Sequence, residues 1–168
     1  ERKRAQKSRG KSGLQAKIQK RTDGAVLASN FESRLREIEE NDSVTHRSGK
    51  PWKSAKAGVE AHGRLPIYYR LDGKITHIAY ISEIVLNPDE NTDEAEKFLK
   101  HISDEDTYSD HSDALDETTY IVTNGERLDE PFSQSDLRRL SDGGHIDENY
   151  SRQPAYVVQR PGDFPDFP

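Results

Sequence analysis

The chain has 168 residues, enough for one domain with tails. Hydrophobic residues make up 31% of it, or about 38% with glycine, below the usual ~45–50%, so part of the chain is expected to stay outside any core. It has no cysteine, which excludes disulfides, thiolate zinc ligands and thiol nucleophiles, and no apolar run approaches the ~18–20 residues of a membrane span.

The net charge of −6 hides an asymmetry. Residues 1–74 carry 18 Lys and Arg against 9 Asp and Glu, a net of +9. Residues 75–168 carry 7 against 22, a net of −15. A basic half attracts phosphate polymers and an acidic half repels them. A nucleic-acid partner is therefore expected on the N-terminal side, and a basic protein partner could dock on the acidic side. Without an initiator methionine the chain reads as a fragment or a processed product. It has no apolar segment of a secretory signal, so an intracellular, cytoplasmic location and no membrane partner are expected.

Residues 1–24 hold nine basic side chains and few apolar ones. The sequence predicts a basic, disordered arm over 1–28, able to order on nucleic acid. Ser29 and Glu32 fit a capping box, followed by a stripe of Phe31, Leu35 and Ile38, which predicts a helix over 31–40. Residues 41–64 read as polar loop around Gly49-Lys50-Pro51 and Trp52. Leu65 to Leu71 is rich in strand formers, Asp72-Gly73 is a favoured two-residue turn, and a long strand runs from Ile75 to Leu86. A capped helix is predicted over 92–102 and an acidic loop over 103–116. A strand over 117–123 is closed by Asn124-Gly125, and a short helix follows over 133–140. A last strand covers 154–159, ahead of a Pro-rich tail over 161–168 that leaves the domain. The order of elements predicts a single α+β domain over 29–160, with a small curled, mostly antiparallel sheet or β-barrel and flanking helices.

A two-residue turn sets the register of its hairpin. Unbroken pairing would put Leu65, Ile67, Tyr69, Thr76, Ile78, Tyr80, Ile84 and Leu86 on a core face. Tyr68, Arg70, Ile75, His77, Ala79, Ile81 and Glu83 would share the other. Convergent polar groups on a rigid sheet can make a ligand pocket. The plainer alternative is a cross-strand Tyr–His contact on a wet surface beside an incidental Arg–Glu pair.

Phosphate-loop, dinucleotide-binding and nucleophile-elbow motifs are absent. Asp89, Asn91 and Asp93 start like a calcium loop, but Glu94 stands where its glycine should be and Lys100 where its bidentate acid should be. No cofactor, metal or catalytic residue is expected. Glu60, His62, His77 and Glu83 are the residues from which a metal-dependent nuclease site could assemble.

The run Gly63-Arg-Leu-Pro-Ile-Tyr-Tyr-Arg-Leu-Asp-Gly-Lys-Ile-Thr-His-Ile-Ala-Tyr-Ile-Ser-Glu-Ile has paired aromatics, a turn and a strand of small and β-branched residues. With the strands Thr118-Thr-Tyr-Ile-Val and Pro154-Ala-Tyr-Val-Val, it resembles PUA-like domains of the EVE/ASCH/YTH-type branch, over about 60–160. The resemblance implies a small β-barrel that binds RNA or DNA and accepts a modified or flipped base among aromatic rings. Trp52, Tyr68 and Tyr80 are then candidate pocket aromatics, and Arg70 and His77 candidate polar readers; Glu83, on the same predicted hairpin face as these two, completes the candidate ligand-binding set. Lys50, Lys53, Lys56, Arg64 and the arm would contact phosphates.

Overall fold

A computed structural model describes residues 13–86 and 118–167. The predicted helix over 92–102 and the acidic loop lie outside the described residues. Helix α1 covers 13–20. The further elements are β1 (Gly24–Ser29), α2 (Glu32–Glu40), β2 (Ser43–Ser48), α3 (Lys53–His62), β3 (Leu65–Leu71) and β4 (Lys74–Leu86). After these come β5 (Thr118–Ser133), a 3-10 turn (Gln134–Asp136), β6 (Arg138–Arg139) and β7 (Ala155–Val158).

Among the described residues, seven strands form one sheet in the order β2-β5-β4-β3-β1-β7-β6. Of these, β1 and β3 pair in parallel and the other neighbours are antiparallel. The fold is α+β, as the element order predicts. The sheet is open, with β2 and β6 at its edges, so the barrel alternative is not realised.

Both faces are covered. On one, Ile18, Leu35, Ile38, Trp52, Ala55 and Val59 from the helical segments pack on Val26, Ile67, Tyr69, Ile81 and Tyr120 of the sheet. On the other, Ala25, Leu27, Tyr68, Ile78 and Tyr80 meet Leu137, Ile146 and Phe164 from irregular C-terminal chain.

The two ends of the domain differ from expectation. β1 lies inside the predicted arm, yet Ala25, Val26, Leu27 and Ala28 are all fully buried. A strand covered on both faces reads as a continuous apolar run, not an alternating one. Ile18 of α1 is also buried, and α1 is tied down by His62 Nε2 against the Ile18 carbonyl (2.9 Å) and by Lys17 Nζ donating to the Ser141 carbonyl (2.6 Å). At the other end, Phe164 of the expected tail is buried in the sheet's second core.

Residues 41–64 are a strand and a helix instead of loop. Val44 and Thr45 suit the strand, and α3 is alanine-rich and ends where Gly63 takes a left-handed conformation (φ 84°). The capping box does not form: Phe31 is the N-cap of α2 and no side chain caps it. Ser29, the intended cap, ends β1 and its hydroxyl accepts from Arg70. The helix expected over 133–140 is one 3-10 turn followed by β6.

Asn124-Gly125 does not end its strand. β5 runs through it as a bulge, with Asn124 at φ 55°. The reason is α2, which crosses directly over the bulge. A Cβ on Gly125 would stand 2.7 Å from both Cβ and the carbonyl oxygen of Ile38. Backbone cannot rotate away as a side chain can, so Gly125→Ala is expected to destabilise by about 1–3 kcal/mol in urea unfolding. Gly49→Ala is the control, because among the described residues nothing lies within 4 Å of where its Cβ would stand. Equal stability of the two variants would show that α2 yields freely.

Candidate functional site

The hairpin turn forms as predicted, with Asp72 and Gly73 both at positive φ, and Leu71 pairs with Lys74 and Arg70 with Ile75. The register then slips. Tyr69 pairs with His77 and Tyr68 with Ile78, leaving Thr76 as the extra residue of a bulge. A slip of one residue moves every later side chain to the opposite face. His77, expected beside Tyr68 and Arg70, therefore joins Tyr69 on the helix-covered face.

There His77 is buried, with Nδ1 2.8 Å from Thr76 Oγ1 and Nε2 3.4 Å from a carboxylate oxygen of Glu39 at the end of α2. Burial lowers its pKa, and Glu39 partly opposes this. Glu83 pairs across to Ile121, farther along β4. His62 is held against Ile18 and edge-on to Phe167. The residues proposed for a metal nuclease thus face different partners. Among the described residues, no three His, Asp or Glu side chains group as metal ligands.

The three candidate aromatics are interior. Trp52 is 1% exposed and stacks on Tyr120 (4.5 Å) under the helices. Tyr68 and Tyr80 lie on the other face, with Phe164 edge-on to both at 5.0 and 5.6 Å. The Tyr68 hydroxyl donates to Asp163 (2.7 Å), and burial raises its pKa further than that bond does. Arg64 lies over the Tyr80 ring at 4.0 Å and donates to the Asp166 carbonyl. These rings are spent on packing, so a base could reach them only by displacing protein.

Arg70 is placed differently. It is 3% exposed, at the end of β3. Its Nε donates to Ser29 Oγ (2.6 Å), one Nη to Gln134 Oε1 (3.0 Å) and the other to the Arg152 carbonyl. All three acceptors are neutral, and among the described residues no carboxylate lies within ion-pair distance. Burial pulls its pKa below the ordinary guanidinium value, but arginine remains charged near neutrality. A buried charge without a counter-charge is costly to the fold and is a mark of a functional site.

The guanidinium borders a cleft of about 350 Å³ lined also by Ser29, Asn30, Asp72, Gln134, Glu148 and Tyr150. Gln134 is fully buried and also lines the cleft. Its Nε2 lies 2.7–2.9 Å from the carbonyl oxygens of Asp147, Glu148 and Tyr150, which share its two hydrogens, leaving its oxygen for Arg70. Phe31, following the lining residue Asn30, is 77% exposed. Lys74 and Arg152, beside the lining residues Gly73 and Ser151, are exposed cations. Gln134 and Tyr150 carry no local sequence signal; sixty-four residues separate Gln134 from the arginine it orients.

The predicted phosphate contacts are elsewhere. Lys50 and Lys53 are exposed and Lys56 partly so. The Lys50 carbonyl accepts from Thr118, which pairs with Leu86, eleven residues along β4 from the partner of Arg70. These lysines and the Arg70 cleft occupy opposite ends of the long strand.

No family model matches the chain, and no curated protein matches it. Solved structures similar to it include a point mutant of ZmASCH from Zymomonas mobilis and the N-terminal domain of McrB from Staphylothermus marinus. The first is 16% identical, covers 83% of this chain and 91% of that one, and has a TM-score of 0.41. The second is 13% identical, covers 83% and 90%, and has a TM-score of 0.43.

Proposed function

We propose that this protein is a nucleic-acid recognition module that receives a flipped or modified base in the Arg70 cleft. The observation that carries the reading is a buried guanidinium held by neutral acceptors, bordering a polar cleft whose volume suits a small ligand. The net charge of +9 over residues 1–74 and the PUA-like character of the hairpin sequence support it. In this reading Tyr150 is the ring beside the ligand and exposed Phe31 a stacking surface at the mouth. Trp52, Tyr68 and Tyr80 hold the scaffold. Lys74 and Arg152 contact the phosphates flanking the base. Lys50, Lys53 and Lys56 contact a strand only where it runs the length of β4.

Fluorescence anisotropy with short labelled single- and double-stranded DNA and RNA, across a salt series, tests this on the full chain. Affinity should fall with salt as phosphate contacts release counterions. Arg70→Met should bind about tenfold more weakly or worse, while Lys53→Ala should change affinity little for an oligonucleotide too short to span β4. Undiminished binding by a folded Arg70→Met protein would remove the cleft from the reading. Absence of binding at low salt would favour a basic protein partner instead.

A further inference from the structure

We infer that the base taken by the Arg70 cleft is guanine, a specificity that rests on the nucleic-acid reading above. An arginine has five N–H donors. Three are committed to Ser29, Gln134 and the Arg152 carbonyl. Among the described residues each terminal nitrogen has one bond, which leaves one hydrogen on each. Two donors fixed on one rigid plane suit a pair of acceptors on one edge of a ligand.

Gln134 makes that plane immobile. The three carbonyl oxygens of the 147–150 loop around its Nε2 dictate that its oxygen, not its amide nitrogen, faces Arg70. The guanidinium is thus locked from three sides, and the same glutamine draws Glu148 and Tyr150 into the wall of the cleft.

Several ligand chemistries offer paired acceptors, and the lining bears most directly on phosphate, adenine and guanine. A phosphate would meet Asp72 and Glu148, two acidic residues of the lining whose charge disfavours an anion. An adenine would turn its amino donor toward a group that can only donate. A guanine offers O6 and N7 to the guanidinium, the commonest arginine–base pairing. On the adjoining edge it carries N1–H and the N2 amino group, which need acceptors that a carboxylate supplies. The Arg70 fork beside a lining that holds Asp72 and Glu148 therefore favours guanine over phosphate and adenine. The Arg70 guanidinium is also 5.7 Å from the centre of the Tyr150 ring, so a flat ligand beside it would find an aromatic neighbour.

The test uses the full chain and labelled single-stranded oligonucleotides that differ at one central position: G, A, C, T, inosine or 7-deazaguanine. Guanine should bind about tenfold or more tightly than adenine. The 7-deaza base, lacking N7, should lose most of that preference. Inosine, lacking the N2 amino group, should be weakened in the wild type but less so in Glu148→Gln or Asp72→Asn, where an acceptor is already lost. Asparagine tolerates the left-handed conformation of Asp72 (φ 54°), so that variant keeps the turn. Arg70→Lys keeps the charge without the fork and should abolish the preference even where it stays as stable as the wild type. Equal affinity for all bases, still dependent on Arg70, would overturn the guanine assignment and leave the nucleic-acid reading standing. Competition by inorganic phosphate as effective as by guanosine monophosphate would overturn it in favour of an anion site. No binding of any oligonucleotide at low salt would overturn both.

Discussion

The native state is expected to lose about 3 kcal/mol between roughly pH 6.5 and pH 4 through one residue, His46. It sits on β2, 1% exposed, with Nδ1 2.7 Å from the Tyr69 hydroxyl and the rings of Tyr69 and Tyr120 edge-on to it. Burial pushes its pKa down to about 3, the Arg34 charge adds to this, and the Arg34 backbone opposes it. In the unfolded chain a histidine takes up its proton near pH 6.5. Between those values the unfolded state binds a proton that the folded state refuses. Stability is therefore intact above about pH 6.5 and falls by up to about 1.4 kcal/mol per pH unit as pH drops toward 3. His77 shifts in the same direction and adds to the slope. Urea unfolding at neutral pH and at two acidic values down to about pH 4 measures it. His46→Gln should flatten the dependence by about one proton relative to the wild type. Identical slopes would mean that water reaches His46.

Phe164→Ala is expected to cost about 3–5 kcal/mol, the range for removing a buried phenyl ring. For a chain of this length that lowers the melting temperature by roughly 10 °C. Phe164 is 5% exposed and packs on Tyr68 and Tyr80. The strap carrying it is fastened by the Tyr68–Asp163 bond, by Arg160 pairing with Asp163, and by the Arg160 N–H donating to the Tyr68 oxygen (2.9 Å). Arg160 also covers the Phe132 ring at 3.4 Å. Phe31→Ala removes the same ring from an exposed position and should leave melting unchanged. If the two variants melt together, the strap contributes nothing to the core. A thermal melt followed by near-ultraviolet circular dichroism distinguishes these outcomes.

Local chemistry made the hairpin legible: Asp72 and Gly73 adopt the positive φ that their side chains permit, and the strands on either side fall where their β-formers are. What failed were the features set by distant chain. Residues 25–28 looked like the end of a basic arm because the charges before them dominate the composition, although AVLA is itself a buried-strand run. Asn124-Gly125 reads as a turn, and only α2 lying against it explains why the glycine is needed inside a strand. Arg70 was recognisable as a candidate from the hairpin alone. Nothing in Ile75-Thr76-His77 announces the extra residue at Thr76, so the sequence pattern alone puts His77 on the wrong face. Gln134 and Tyr150 become part of the cleft only when the chain between β5 and β7 folds back.

β1 has further consequences for how the protein is made. Gly24 to Ser29 is synthesised before both of its neighbours: one side of it pairs with β3 and the other with β7, and the Gln159 N–H closes the ladder on the Asp23 carbonyl (2.7 Å). A nascent chain that has not yet reached β7 therefore carries an apolar strand with an open edge and one bare face. Stop codons or proteolytic cuts ahead of Ala155 should act on the middle of the sheet, and the truncated products belong among substrates for chaperones and not among smaller folded domains.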